Sequence, residues 1–125
     1  MTSKAVQLAR AIPDAEPQFI WAWNGLCLGY RLGASFFTCE GIELGRFSGP
    51  ELFGANGRYL GELRVANDGE RLITNAYKKS RTSYAFVPAV GKALKRPRER
   101  SAEPLYCGHE HFPVPEMLKS AGKRR

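Results

Sequence analysis

The sequence lacks the features that identify a membrane protein or a secreted disulfide-rich domain. No segment approaches the roughly 20 apolar residues of a membrane-spanning helix, and residues 1–17 hold no uninterrupted apolar run of the kind found in a signal peptide. The cysteines Cys27, Cys39 and Cys107 are odd in number and irregularly spaced, which favours reduced, buried thiols. We therefore predict a cytoplasmic protein with no membrane partner.

Nucleotide-binding and catalytic motifs are missing as well. The chain has no P-loop, and its glycines do not follow the Gly-x-Gly-x-x-Gly pattern of dinucleotide-binding proteins. The acidic residues Glu40, Glu43, Glu51 and Glu62 are spread over several segments, so we interpret them as solvated surface charges and not as an acid-base pair. The sequence predicts a protein that is not an enzyme and uses no cofactor.

Glycine is abundant, and its placement reveals a repeat. Three segments read x-Gly-x-x-Leu-Gly, and their first glycines, Gly25, Gly41 and Gly57, lie 16 residues apart. The Asn-Gly dipeptides ending at Gly25 and Gly57 are strong hairpin signals, and Glu-Gly at the middle position is a weaker one. A one-residue insertion would turn the apolar row of a hairpin to the wrong face. The sequence therefore predicts three β-hairpin repeats over residues 19–65.

Two-residue turns at these glycines would fix the pairing across each hairpin. A large apolar residue would then face a glycine, as Ile20–Gly29, Phe36–Gly45 and Leu52–Gly61. An aromatic residue would face a leucine, as Trp21–Leu28, Phe37–Leu44 and Phe53–Leu60. We expect Trp21, Phe37 and Phe53 in the core, while Trp23 stays unassigned because its counterparts are Cys39 and Ala55. Unburied aromatic rows would instead predict a homo-oligomer.

The 125 residues are sufficient for one domain, so we predict an all-β single domain, residues 1–125, with short terminal helices at 3–12 and 115–121. Residues 66–87 are interpreted as a degenerate fourth repeat. Its strands would lie at 71–74 and 83–87, because a turn sequence precedes the first and β-forming residues fill both. Residues 89–104 have no sustained apolar period and are predicted to form an exposed basic linker or loop.

Two further segments support a family resemblance. The block GRYLGELRVANDGERLITNAYKKSR at 57–81 and YCGHEHFPVPE at 106–116, together with the Gly-x-x-Leu-Gly hairpins, resemble the four-fold beta-flower family of small bacterial proteins. The resemblance implies hairpin petals in pseudo-fourfold arrangement, and it implies no activity or catalytic residue. Tyrosine is common in that family at the position of His109, and an acidic residue at that of His111. A family-wide metal site is therefore not implied.

The cysteine and histidine residues near the C-terminus are candidates for metal binding. Cys107, His109 and His111 alternate and would share one face of a strand, where Cys39 would complete a tetrahedral zinc set. Cys107 and His109 can also be drawn as a nucleophile and a base. However, the chain has no Cys-x-x-Cys pair and no sign of a third orienting group. Hydrogen-bonded or exposed histidines are the favoured interpretation.

The net charge of +7 is concentrated in one segment. Residues 76–100 hold eight lysines and arginines against Glu99, so the remainder of the chain is neutral. Basic residues beside tyrosines are typical of sequence-independent nucleic-acid binding, in which an aromatic ring stacks on a base. The predicted binding residues are Lys78, Lys79, Arg81, Lys92, Lys95, Arg96, Arg98, Arg100, Tyr77 and Tyr84.

Three functional interpretations follow from this charge distribution. The first is a non-enzymatic binding module that contacts a polyanion, most readily nucleic acid. The second is a small bacterial or prophage inhibitor or adaptor that docks on an acidic protein surface. The third is a metal-dependent or thiol enzyme. A basic loop that only keeps the protein soluble is the alternative to all three.

Overall fold

The structure is a computed structural model that describes residues 16–114. The helices predicted at 3–12 and 115–121 lie outside this range. Within it, the chain forms one short 3-10 helix, Ala76–Lys78, and eight β-strands, which confirms the all-β prediction. The strands are β1 (Gln18–Trp21), β2 (Cys27–Leu32), β3 (Ser35–Phe37), β4 (Glu43–Ser48), β5 (Glu51–Gly54), β6 (Tyr59–Ala66), β7 (Gly69–Asn75) and β8 (His109–Glu110). No helix in this part of the chain is long and apolar enough to cross a membrane.

The strands form one antiparallel sheet in which each strand pairs with its neighbours in the sequence, from β1 to β8. Strands β1 and β2, β3 and β4, and β5 and β6 are the three hairpins that the repeat predicts. Each of them places a large apolar residue opposite a glycine, as predicted: Ile20 opposite Gly29, Phe36 opposite Gly45, and Leu52 opposite Gly61.

The hairpin tips differ from the predicted two-residue turns. In the first hairpin Gly25 N donates to Ala22 O at 2.9 Å and Ala22 N donates to Leu26 O at 2.8 Å, so the loop has three residues. Gly25 has φ +94°, whereas no non-glycine residue between 16 and 114 has a positive φ. A two-residue turn of type I′ needs a positive φ at both central positions and one of type II′ needs it at the first, so Asn24 fits neither. The glycine instead ends the loop.

A β-bulge beside each tip shifts the inner pairs by one residue, so the predicted aromatic-leucine pairs are wrong. The observed partners are Cys27 for Trp21, Glu43 for Phe37, and Tyr59 for Phe53. All three aromatic residues are nevertheless buried, as predicted, and so is Trp23.

The fourth hairpin is built differently from the other three. Strand β7 pairs with β6 on one side and with β8 on the other, where Thr74 faces Glu110 and Asn75 faces His109. The second strand of this hairpin therefore comes from 109–110, and the predicted strand at 83–87 does not form. The chain travels from β7 to β8 through residues 76–108, which we call the strap. The strap takes the place of a hairpin tip.

The curled sheet brings β1 close to β7. Ala22 forms a parallel bridge with Leu72, and Trp23 N donates to Leu72 O at 3.2 Å. One core cluster lies inside this curl and receives apolar side chains from all four hairpins. Its members are Ile20, Ala22, Leu28, Phe36, Leu44, Phe47, Leu52, Leu63, Leu72 and Phe112. Leu72 faces Leu63 as Leu52 faces Phe47 one repeat earlier, so β7 continues the hairpin pattern despite its longer spacing.

Candidate functional site

The strap passes the three glycine tips in the reverse of their order in the chain. At each tip a strap amide donates to the glycine carbonyl: Ser83 N to Gly57 O at 2.7 Å, Gly91 N to Gly41 O at 2.6 Å, and Arg100 N to Gly25 O at 2.8 Å. Three residues further along the strap, a second amide donates to the carbonyl of the residue two positions before that glycine. These pairs are Phe86 N to Ala55 O, Leu94 N to Cys39 O, and Glu103 N to Trp23 O, at 2.7–2.9 Å. The strap therefore repeats the same docking contact three times.

This docking explains why the tip residues are glycines. A Cβ on Gly41 would lie 2.5 Å from Gly91 O, and one on Gly25 or Gly57 would overlap the strap carbonyl of Arg100 or Ser83. Gly41 also has φ +93°, a conformation that L side chains rarely adopt. The tips thus combine a left-handed turn with close approach of a second backbone.

Carboxylates of the third hairpin hold the start of the strap. Lys78 Nζ lies 2.8 Å from Glu51 Oε2 and 2.9 Å from Glu62 Oε1, and Arg81 Nη2 lies 2.9 Å from Glu51 Oε1. Burial alone would raise the pKa of the Glu62 carboxyl, but hydrogen bonds from Lys78, Arg64 and Tyr59 outweigh it, so this pKa lies below its ordinary value. Glu62 is buried, contrary to the sequence interpretation, because Lys78 of the strap and Arg64 of β6 compensate its charge.

Glu43 has the corresponding role at the second hairpin and is also buried. Its Oε1 accepts a hydrogen bond from Ala89 N at 2.9 Å, and its own amide donates to Ala89 O at 3.2 Å. Arg46 Nε donates to Oε2 at 2.8 Å. Burial raises the pKa of Glu43, and these hydrogen bonds with one from Ser35 together lower it below its ordinary value. The expectation of a solvated surface charge is therefore wrong here too.

Aromatic side chains of the first hairpin hold the strap by its carbonyl groups. Tyr30 Oη donates to Lys92 O at 2.6 Å, Trp21 Nε1 donates to Arg98 O at 2.9 Å, and Trp23 Nε1 donates to Pro104 O at 2.8 Å. Buried Trp and Tyr usually find such partners for their polar atoms. Trp23, which the repeat left unassigned, thus connects the first tip to the end of the strap.

Arg71 joins β7 and the residues that follow β1 to the strap. Its side chain is 1% exposed and makes a bidentate contact with Asp68, with Nη2 2.8 Å from Oδ2. Nη1 donates to Ser101 O at 2.8 Å and to Ala22 O and Trp23 O, both at 3.3 Å. The planar, five-donor guanidinium group suits this arrangement, which a lysine could not reproduce.

The structure divides the predicted basic residues into two groups. Five of them form ion pairs: Lys78 and Arg81 as described, Lys79 with Glu110 at 2.6 Å, Arg96 with Glu40 at 4.0 Å, and Arg100 with Asp68 at 3.5 Å. The other three, Lys92, Lys95 and Arg98, are exposed and have no ion-pair partner among residues 16–114. We call these three the free cations.

The two predicted stacking residues both lie at the surface. Tyr77 is 83% exposed and Tyr84 is 92% exposed. Tyr84 lies in the strap beside Ser83, whose amide is fixed on Gly57. It is therefore a large aromatic side chain in solvent on a positioned backbone, whereas Tyr77 belongs to the 3-10 helix at the start of the strap.

The cysteine and histidine candidates are not assembled into one site. Cys39 is buried beside Cys27, whereas Cys107 is exposed. His109 is half-buried, with Nδ1 3.2 Å from Cys107 O, and His111 is exposed. Across residues 16–114, no group of three or more His, Cys, Asp or Glu side chains is arranged to hold a metal ion.

The residues that sequence reasoning missed are those that clamp the strap, chiefly Glu43, Glu62 and Arg71. A buried carboxylate requires a partner, but the partners of Glu43 and Glu62 lie in a distant segment or are backbone amides. The only available signal was the excess of basic residues in 76–100. No protein-family model, curated protein or solved structure matches the chain, so the resemblance to the beta-flower family stays a prediction.

Proposed function

We propose that the protein is a non-enzymatic binding module whose strap contacts a polyanion, with nucleic acid as the ligand class. The observation that carries the proposal is the set of free cations, Lys92, Lys95 and Arg98, on a backbone fixed from beneath. Cations without internal carboxylate partners are the most available for phosphates, and within residues 16–114 none of these three has such a partner. Their spacing of three residues in the sequence spreads them along one stretch of the strap.

The clamped backbone favours binding because little order has to be gained on association. Lys92 and Arg98 use their carbonyl oxygens to accept hydrogen bonds from Tyr30 and Trp21, which leaves their side chains available. A flexible arm would have to become ordered on binding, which costs free energy, whereas the strap is already ordered in the folded protein. Tyr84 adds an exposed ring on which an unpaired base could stack, an interaction that tolerates any base sequence.

The test measures affinity for a fluorescent single-stranded oligonucleotide by anisotropy over a range of salt concentrations. The variant Lys92→Gln/Lys95→Gln/Arg98→Gln keeps every backbone contact of the strap. Each neutralised phosphate contributes about 0.7 to the slope of log K against log salt for a single strand. We expect the magnitude of this slope to be smaller by about 2 in the triple variant, and its affinity at low salt to be at least tenfold weaker.

The matched comparison sets Lys92→Gln/Lys95→Gln against Arg31→Gln/Arg58→Gln, which removes the same charge from the hairpins and leaves Arg64 in its ion pair with buried Glu62. If net charge alone attracts the ligand, both double variants weaken binding equally, and the strap is not the site. Equal binding by wild type and the strap variant would also overturn the proposal. Thermal unfolding of each variant establishes that it is folded before binding is compared.

An acidic protein surface is a second candidate partner, and exposed apolar residues of the strap favour it. Val87 and Val90 are 85% and 88% exposed and lie between Tyr84 and Lys92. Apolar side chains add little to phosphate binding, but they contribute to protein interfaces. Binding that survives high salt and is lost in Val87→Ser/Val90→Ser would identify this function, because apolar contacts are not screened.

A further inference from the structure

Beneath the strap, the first and second hairpins bring two cysteines together. Cys27 begins β2 and Cys39 lies in the tip between β3 and β4, and both belong to a small buried cluster with Trp21. Cys27 is 0% exposed and Cys39 is 4% exposed. The two side chains pack in this one cluster, and no disulfide joins them. The hairpin repeat itself does not need this pair, because the equivalents of Cys27 are Glu43 and Tyr59.

The strap forms the cover of this thiol pair. Leu94 N donates to Cys39 O at 2.7 Å, and Arg96 Nη1 donates to Cys27 O. Burial raises the pKa of each thiol, that of Cys27 to about 11. The nearby charge of Arg96 acts in the opposite direction on both thiols. The Arg96 side chain is partly exposed, and its carboxylate partner Glu40 is 4.0 Å away. The Arg96 side chain therefore lies against the pair, held by its hydrogen bond to Cys27 O and only weakly by Glu40.

We propose that Cys27 and Cys39 form a reversible dithiol site that is oxidised to an intramolecular disulfide by a small disulfide such as oxidised glutathione. One cysteine, as its thiolate, attacks a sulfur of glutathione disulfide, giving a mixed disulfide and one reduced glutathione. The second cysteine loses its proton and attacks the mixed disulfide, which releases a second glutathione thiol. Two electrons and two protons pass from the pair to the oxidant. The inference is independent of the proposed polyanion binding.

The chain geometry gives the disulfide a measurable consequence. It would join the first two hairpins and close a short loop, which restricts the unfolded chain. The exposed thiol of Cys107 would also react with glutathione and add to the number of thiols lost. The experiment therefore uses the full chain with Cys107→Ser. The folded protein is equilibrated in glutathione buffers of increasing oxidation. We expect both thiols to disappear together, the mass to fall by about 2 Da, and Tm to rise by roughly 5–15 °C.

Trypsin cleavage after Arg31 and Arg46 places the two cysteines in separate peptides, 11–31 and 32–46. The oxidised protein should give these two peptides as one species that separates on reduction. The controls are Cys27→Ala/Cys107→Ser and Cys39→Ala/Cys107→Ser, either of which suffices if the other fails to fold. Each should show no rise in Tm on oxidation. Stable glutathione adducts without a linked peptide, or thiols that react only after unfolding, would overturn the proposal.

Discussion

The hairpins and the strap each repeat one structural unit three times, but different chemical groups produce the two repeats. The hairpins repeat because the same residue types recur in the sequence: a glycine at each tip, and a large apolar residue opposite another glycine. The strap repeats because its amides dock on successive tips, at Ser83, Gly91 and Arg100, although these residues share no side-chain chemistry. Hydrogen bonds from backbone amides can repeat without any particular residue type, so they leave no pattern in the sequence. The strap is thus regular in its contacts and irregular in its composition.

The largest effect should come from breaking the contact that links the two regions. Gly25→Ala would place a methyl group on Arg100 O and force an unfavourable positive φ, so we expect the free energy of unfolding to fall by roughly 3 kcal/mol or more. Gly33→Ala is the matched control, because Gly33 has φ +60° with no atom within 4 Å of the added Cβ. It should cost only about 1–2 kcal/mol. Urea denaturation measures both, and equal losses would show that the strap contact contributes nothing.

Lowering the pH should have an intermediate effect on the free energy of unfolding, because it protonates the Glu43 carboxylate that holds the strap. The pKa of Glu43 is below its ordinary value of 4.5 in the folded protein, so the unfolded chain binds the proton more tightly. The stability that this group contributes is present above about pH 4.5 and is lost as pH falls through the lower folded pKa. Glu43→Gln should be less stable at pH 7 and should lose less on acidification. A wild type and variant with parallel pH profiles would contradict this role.

The smallest effect separates the strap cations that hold the fold from those that do not. Arg100 Cζ lies 3.4 Å from the centroid of the Trp21 ring, and Arg100 Nη1 lies 3.5 Å from Asp68 Oδ2. Arg100→Gln should therefore lower the free energy of unfolding by about 1 kcal/mol. Arg98→Gln should change it by less than about 0.5 kcal/mol, because within residues 16–114 only the backbone carbonyl of Arg98 accepts a hydrogen bond and its side chain has no ion-pair partner. Thermal unfolding compares the two, and similar losses would mean that the division of the strap cations is incorrect.

The sequence predicts the parts of the fold that local chemistry determines. The glycine period gives the three hairpins and their outer pairs, such as Ile20 with Gly29, because both depend on neighbouring residues. The bulges beside the tips escape prediction, since they depend on Gly25 closing a longer loop. The fourth hairpin also escapes, because its second strand, His109–Glu110, lies far along the chain. Its remote position hides it from any local pattern.

The candidate site is predicted less completely than the fold, for an electrostatic reason. Composition locates the basic segment, but it cannot tell Lys95, which has no partner among the described residues, from Lys78, which has two carboxylates. That distinction depends on where Glu51 and Glu62 meet the strap after folding. A net charge counts ionised groups, whereas a binding surface requires the subset left uncompensated by the tertiary structure.

The insertion of the strap into the fourth hairpin has a consequence for the order in which the molecule assembles. The first three hairpins join residues close in sequence, so their nucleation requires little loop entropy, but Thr74 and Glu110 meet only after the whole intervening segment has been wound past three tips. We therefore expect pairing of these strands to be the slow closing step of folding, and its reversal to be the first local opening that hydrogen exchange detects.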